Sequence, residues 1–437
     1  MKLFLISLGC AKNLVDSETI TRGLTESGYT ITDKIEKAGL ILINTCGFIN
    51  DAKQESIDTV LSVLEEKNSD AKLVVFGCLV QRYRKELEGL IPEVDLFLPV
   101  LSEGDFRAEI LASFPPEGGL IPATAARILF TPPAYTYIKI SEGCRNRCSY
   151  CTIPMIRGPL RSVLARDIKK QIEEALDRGV YEFNLIAQDL TAYGSDLDGK
   201  TSLAGLLKRI LSIKKDFWLR LLYLYPSRIN TEIAGVMRSD SRIQKYIDMP
   251  IQHSCSRILK LMNRHYTREV LYRKIDMLRK KIPSIAIRTS LIVGFPSEND
   301  ADFRELSDFV RDIEFEHLGV FEYSEEEDTK AVLLRPLVPV PVKRERRRLL
   351  MNIQKKIVKE RSRAVKGKIY PCLMEMPVDE YGAVWTGRIY SQAPEVDGTV
   401  YVAGYTREMG AVVDVKIEKS KDYDYSGICV AHKPSET

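Results

Sequence analysis

Three cysteines within eight residues, Cys144, Cys148 and Cys151 of SEGCRNRCSYC, constrain this chain more than any other feature. The Cys-x-x-x-Cys-x-x-Cys spacing follows directly on a strand-like run over residues 135–141. In α/β folds and barrels, ligands gather at the carboxyl ends of the strands. Three thiolates suit a [4Fe–4S] cube and leave one iron without a protein ligand, open to chelate the amino and carboxylate groups of a small molecule. The alternatives are structural zinc and inert buried thiols. Structural zinc usually takes four ligands in two pairs, and no second pair lies nearby.

The chain has nine cysteines, an odd number, and no secretory leader is expected, since the apolar start MKLFLISLGC is too short for one. A disulfide framework is therefore not expected, and in a reducing cytoplasm clustered thiols bind metal or do chemistry. Cys10, Cys46 and Cys78 form a second set, tied by position and not by a short motif. Each ends an apolar, β-branched run, over residues 3–8, 40–45 and 72–76, in the strings LGC, NTC and FGC. If these runs pair in parallel, the thiols converge on one edge of a sheet. Against this stands the ordinary use of cysteine as a small buried hydrophobe, which three equivalent positions make less natural than one would. Cys372 and Cys429 read as packing residues, and Cys255, in QHSC, lies just past a strand near the presumed site. Four scattered histidines have no metal-ligand spacing.

The fold class read from the pattern is α/β in three parts. Residues 1–125 alternate strands with amphipathic helices such as 51–67, which implies a parallel sheet. A turn-rich stretch with Pro115, Pro116, Gly118, Gly119 and Pro122 closes this segment. Residues 128–335 alternate again, with strands expected near 135–141, 182–187, 218–224, 247–250, 287–293 and 318–323, enough for a partial (βα)6 barrel. Residues 335–368 carry thirteen Lys or Arg against two Glu, and a basic linker helix is expected from Val342 onward within 336–368. Residues 369–437 carry six basic and eleven acidic residues and short alternating strands near 384–389, 399–403, 412–417 and 427–431, the pattern of a small β-barrel. The net charge of +4 hides this basic-then-acidic contrast. No run of eighteen apolar residues is present, so no membrane span is expected.

Polar residues at strand ends facing the cysteine loop are candidate contacts to a bound cofactor: Gln188 and Asp189 after the second strand, Arg220 in the third and Gln252 after the fourth. Arg157 and Arg161 flank the loop in IRGPLRS. In IVGFPSE, Gly294 allows close backbone approach and Glu298 opens a helix. Each also has an ordinary reading as a cap, salt bridge or turn.

Together these residues resemble the radical-SAM methylthiotransferase family over almost the whole chain. The Cys144/Cys148/Cys151 motif resembles the one that holds a [4Fe–4S] cluster and S-adenosylmethionine, and IVGFPSE the stretch placed beside adenine. The resemblance implies an amino-terminal domain whose Cys10, Cys46 and Cys78 hold an auxiliary [4Fe–4S] cluster, a radical-SAM domain, and a carboxy-terminal TRAM β-barrel. The strings SLGCAKNLVDSE and GRIYSQAPEVDGTVYV resemble the branch that modifies an aspartate of small-subunit ribosomal protein S-twelve; the transfer-RNA branch typically has Gln and Met where this chain has Ala11 and Lys12. The sequence departs from the family at Glu325 to Asp328, where a glycine is common, and at Cys255. The implied reaction uses one S-adenosylmethionine to methylate a sulfur on the auxiliary cluster and a second to make a 5′-deoxyadenosyl radical that takes hydrogen from the aspartate β-carbon. Implied partners are S-twelve or the ribosomal subunit and an electron donor such as flavodoxin, in the cytoplasm. The acidic tail, including Glu395 and Asp397, suits a basic protein better than phosphates; the basic helix could also touch ribosomal RNA. The alternatives are transfer-RNA methylthiotransfer and an iron–sulfur binding or sensing protein without turnover.

Overall fold

The computed structural model describes residues 1–116, 129–197, 201–405 and 408–430. The expected boundary near 125–128 and the end of the last strand at Ala431 lie outside the described residues. The chain forms two compact units.

The first unit comprises Met1–Phe130 with Glu142–Asn146 and Cys151–Pro159. Its strands are β1 Lys2–Ser7, β2 Thr30–Ile31, β3 Leu40–Thr45, β4 Lys72–Gly77 and β5 Leu96–Leu98, alternating with helices α1 Ala11–Thr25, α2 Asn50–Glu66, α3 Cys78–Leu90 and α4 Glu103–Ser113. The sheet runs β2-β1-β3-β4-β5, and every neighbouring pair is parallel. The alternation of side chains along β3 explains the layering. Ile41 and Ile43 face a core with Val60 and Val63 of α2 and Leu79, Val80 and Leu87 of α3. Leu40 and Leu42 face the opposite core with Ile20 and Leu24 of α1 and Phe106 and Ile110 of α4. Both faces are covered, as a parallel sheet requires. The short strands β2 and β5 were not expected from sequence.

The second unit comprises Thr131–Ser141, Arg147–Tyr150 and Leu160–Thr437. It begins with β6 Tyr135–Lys139; in sequence the cysteine loop lies between the two-residue segments β7 Ser141–Glu142 and β8 Arg161–Ser162, and the short helix α5 Ile153–Arg157 after it belongs to the first unit. The elements that follow are α6 Ala165–Leu176, β9 Glu182–Ile186, α7 Leu203–Leu211, β10 Trp218–Leu221, α8 Thr231–Ser239, β11 Ile243–Asp248, α9 Ser256–Leu261, α10 Arg268–Lys281, β12 Ala286–Val293, α11 Asp300–Ile313 and β13 His317–Glu322. Six parallel strands run in the order β13-β12-β11-β10-β9-β6, an open sheet of the partial-barrel kind expected. The fourth strand starts four residues earlier than the sequence pattern suggested, at Ile243 in place of Ile247.

Helix α12 Val340–Val365 is the expected basic helix. Its inner side docks on the radical-SAM-like part. Lys343 donates to the Tyr323 carbonyl at 2.9 Å, Arg346 pairs with Glu298 at 2.9 Å and Gln354 donates to the Phe315 carbonyl at 2.9 Å. The chain ends in β14 Ile369–Pro377, β15 Val384–Arg388, β16 Val400–Ala403, β17 Val412–Lys421 and β18 Asp424–Cys429, a closed barrel in the order β14-β15-β16-β18-β17. No helix among the described residues is long and apolar enough to cross a membrane.

Candidate metal centre

In the first unit the in-phase pairing of Ser7 with Asn44, Asn44 with Phe76 and Thr45 with Gly77 brings three strand ends level. Cys10, Cys46 and Cys78 follow those ends, Cys10 exposed and the other two buried. Glycines make the approach possible. Gly9 has φ +89°, and a Cβ there would stand 2.8 Å from Cys46 Cβ; Gly77 has φ +99°, and its Cβ would stand 2.4 Å from Asn44 Oδ1. Asn13 of α1 ties the strand ends together, donating to the carbonyls of Leu8 at 3.0 Å and Thr45 at 3.2 Å. Ser56 of α2 both accepts from Cys46 N–H and donates to its carbonyl at 3.0 Å.

The three thiols act on one another. Burial pushes the Cys46 thiol up to about 11, and the neighbouring Cys78 and Cys10 push the same way. Burial also raises Cys78, with Arg157 opposing. Three thiolates gathered at one corner, two of them buried, need a cationic centre to be stable, and an all-sulfur donor set suits iron–sulfur ligation. Among the described residues no group of His, Cys, Asp or Glu closes on a single-ion site. A cube spreads its ligands over separate corners, so its thiols stand farther apart than those around one ion, and an all-thiol donor set fits such a cube.

The second set lies on the loop from β7 to α5. In the first unit, Cys144 N–H donates to the Gly158 carbonyl at 3.1 Å. Gly143, at φ +75°, lies so near Pro159 that a Cβ would meet its carbonyl oxygen at 2.1 Å. In the second unit, Ser149 is fixed by the carbonyls of Leu261 and Met262, its hydroxyl donating at 2.7 Å and its N–H at 3.0 Å. The Arg264 guanidinium approaches Cys148 Sγ at 3.6 Å while it stacks over the rings of Tyr225 and Tyr266 at 4.4 and 5.2 Å. All three thiols are partly exposed, in keeping with a site that must admit a ligand.

Several residues picked from sequence have other employment. Arg220 is fully buried, pairs with Glu182 at 2.7 Å and donates to the Tyr390 carbonyl at 2.6 Å, so it joins the sheet to the terminal barrel. The Glu298 carboxylate accepts from Gly294 N–H at 2.8 Å and Phe295 N–H at 3.2 Å and pairs with Arg346; burial pushes it up to about 7. Gly294, at φ +70°, makes its close approach to Lys343 of α12, whose Cγ would lie 2.4 Å from an added Cβ. The IVGFPSE stretch is thus a strand-to-helix turn clamped by α12. Asp189 is buried, caps the turn at Thr191 with a 3.0 Å bond and pairs with Arg228. Gln252, at φ +67°, bridges to Leu291 and, like Gln188, is half-buried at its strand end. Arg161 is exposed. Asp397 also requires correction: its side chain is 1% exposed, pairs with Arg288 at 2.6 Å and His317 at 3.1 Å, and accepts from Tyr246 at 2.7 Å, so it cannot face a partner. Glu395 is exposed and accepts from Tyr135 at 3.0 Å. Cys255 packs beside Phe295 and Tyr323, its thiol 3.1 Å from Asp302. Sequence reasoning missed Asn13, Asp16 and Arg264. Nothing in spacing marks them, because their partners come from distant parts of the chain.

Residues 2–99 match the family described as uncharacterized protein family UPF0004, residues 138–310 the radical SAM superfamily and residues 367–430 the TRAM domain. The chain is 44% identical, over 98% of its length and 100% of the relative's, to the ribosomal protein uS12 methylthiotransferase RimO of Thermodesulfovibrio yellowstonii. It is 43% identical to the protein of the same name from Acetivibrio thermocellus, over 98% of each. Among solved structures it is similar in fold to the radical S-adenosylmethionine methyltransferase TsrM of Kitasatospora setae, with a TM-score of 0.54 at 14% identity, covering 85% of this chain and 80% of that one. The cobalamin-dependent S-adenosylmethionine radical enzyme OxsB gives a TM-score of 0.52 at 12% identity, covering 82% and 56%. On its matched domains and its near-full-length identity to these relatives, the chain belongs to the ribosomal protein uS12 methylthiotransferase family of radical-SAM enzymes.

Proposed function

We propose that this chain transfers a methylthio group to the β-carbon of an aspartate in ribosomal protein uS12, with Cys144, Cys148 and Cys151 holding the radical-forming [4Fe–4S] cluster and Cys10, Cys46 and Cys78 an auxiliary one. The observation that carries the division of labour is the convergence of three thiols at parallel strand ends, apart in sequence from the Cys-x-x-x-Cys-x-x-Cys loop. When bound, the clusters and S-adenosylmethionine supply the carbon-centred radical and the sulfur; an unactivated C–H bond offers no acid for a general base. The chain's own work is positioning and exclusion of water. The glycine turns at Gly9 and Gly77 and the Asn13 bonds fix the first thiols, and the Ser149 and Arg264 contacts fix the loop around Cys148. Gln188 and Gln252 stay as candidate contacts to S-adenosylmethionine, since both are half-buried at sheet strand ends.

The reaction needs an external reductant, for which a flavodoxin-like carrier suits, and a substrate on the ribosome places the enzyme in the cytoplasm. The outward side of α12, with exposed Arg344, Arg348, Lys355, Lys356, Lys359 and Arg363, suits ribosomal RNA phosphates beside the protein target. Replacing Cys10, Cys46 and Cys78 with Ala tests the assignment. The reconstituted wild type should bind about eight irons and the variant about four. The variant should still release 5′-deoxyadenosine from S-adenosylmethionine but transfer no methylthio group. Eight irons in the variant, or loss of cleavage with the second cluster intact, would refute the division.

A further inference from the structure

Arg157 is 4% exposed, at the end of the short helix that follows Cys151. Within the first unit its Nη2 donates to Cys78 Sγ at 3.3 Å and to Asn13 Oδ1 at 2.5 Å. Its Nη1 meets Asp16 at 2.5 Å and Glu142 at 3.4 Å. A buried guanidinium is costly unless its charge is balanced and its donors are used. Asp16 and Glu142 suffice for the charge. The prong on sulfur is therefore an additional, aimed contact, and the two carboxylates fix its direction. Asn13, the residue that ties the strand ends together, accepts from the same nitrogen, so the guanidinium is registered to the thiol corner as a whole. A carboxylate partner on the far side of the guanidinium opposes its positive field at the thiols.

We infer that Arg157 is a positioning residue that raises the reduction potential of the cluster held by Cys10, Cys46 and Cys78, through its N–H···S hydrogen bond to Cys78. This rests on the reading of that triad as cluster ligands. Reduction adds one electron, taken from the external reductant, and no bond forms or breaks. The added negative charge is shared with the ligand sulfurs, so a hydrogen-bond donor and a positive charge at Cys78 favour the reduced form. Burial strengthens the effect because the local dielectric is low. Asp16 pulls the other way.

The test is an EPR-monitored potentiometric titration of the full-length chain with Cys144, Cys148 and Cys151 replaced by Ala, so that only this cluster contributes signal. With native Arg157 this background should hold about four irons. Arg157→Met should keep that iron and shift the midpoint to lower potential by at least a tenfold change in the one-electron equilibrium, about 59 mV. Arg157→Lys, which keeps the charge but not the planar fork, should recover part of the shift. Asp16→Asn should move the midpoint the opposite way. An unmoved midpoint in an iron-loaded Arg157→Met variant overturns the inference. If that variant fails to assemble, an unmoved or lowered midpoint in Asp16→Asn overturns it instead. Iron near zero in the background with native Arg157 would overturn the ligand reading itself, a different failure from a loaded cluster whose potential does not respond.

Discussion

Glu182 lies fully buried between two guanidiniums, Arg220 at 2.7 Å and Arg388, in the second unit. Burial alone would raise its carboxyl, but Arg388 and Arg220 outweigh it and hold it below the usual range. Asp397 is held low in the same way, burial being outweighed by His317 and Arg288. These two carboxylates join the terminal barrel to the parallel sheet, which sequence could not reveal: the partners are about two hundred residues apart in the case of Glu182 and Arg388. Each has a folded value below its unfolded one. Its contribution is therefore present above the ordinary carboxylate range and is lost as pH falls through the folded value. Resistance of the second unit to urea should accordingly weaken on the acid side, below roughly pH 4. Glu182→Ala should cost about 3–5 kcal/mol at neutral pH, since it strands the buried Arg220 and leaves Arg388 only Glu375 as a carboxylate partner. Replacing Glu182, Arg220 and Arg388 together with apolar residues of similar size should cost much less. Equal losses for the single and the triple change would contradict the account.

At the scale of elements, the thiol-bearing strand ends were legible in sequence because β1, β3 and β4 are continuous apolar runs bounded by Gly-Cys or Thr-Cys, the mark of a sheet buried on both faces. The six strands of the second sheet were legible from strand-length runs alternating with helical patterns, although charged residues interrupt them. Strand β14 was not: Pro371 lies inside it and Pro377 ends it, which locally argues against a strand. Barrel closure overrides that signal by pairing β14 with both β15 and β17. The exposed acidic face was misread at Asp397 because charge counts carry no direction. The β14–β15 turn shows a better candidate for a basic protein. Asp379 is committed to the turn, accepting from Tyr381 N–H at 2.9 Å, while Glu380 is exposed and Tyr381 is 92% exposed. Tyrosine is enriched among interface anchors, and the neighbouring carboxylate suits a basic partner. Glu380→Lys with Tyr381→Ala should weaken binding to uS12 while iron content and 5′-deoxyadenosine formation stay unchanged. The Glu380 part should be worth roughly 0.2–1 kcal/mol and shrink at high salt. Unchanged binding would move the docking face elsewhere.

For the whole molecule, two compact units divide the cysteines in an informative way. The first holds Cys10, Cys46, Cys78, Cys144 and Cys151, and the second holds Cys148, Cys255, Cys372 and Cys429. Within the first unit Arg157, just after the motif, serves the other thiol set. A spacing pattern singles out candidate ligands; it does not say what surrounds them, which is why the two cysteine sets could be picked out and Asn13, Asp16 and Arg264 could not. The central claim, methylthio transfer to uS12, is tested most directly by mass spectrometry. Reconstituted enzyme, S-adenosylmethionine and reductant are incubated with small ribosomal subunits and, separately, with transfer RNA, and both are digested. The account predicts that one aspartate-containing uS12 peptide gains the mass of a methylthio group in place of hydrogen and that the transfer RNA is unchanged. Unmodified uS12 together with a methylthiolated nucleoside in the transfer-RNA digest would contradict it.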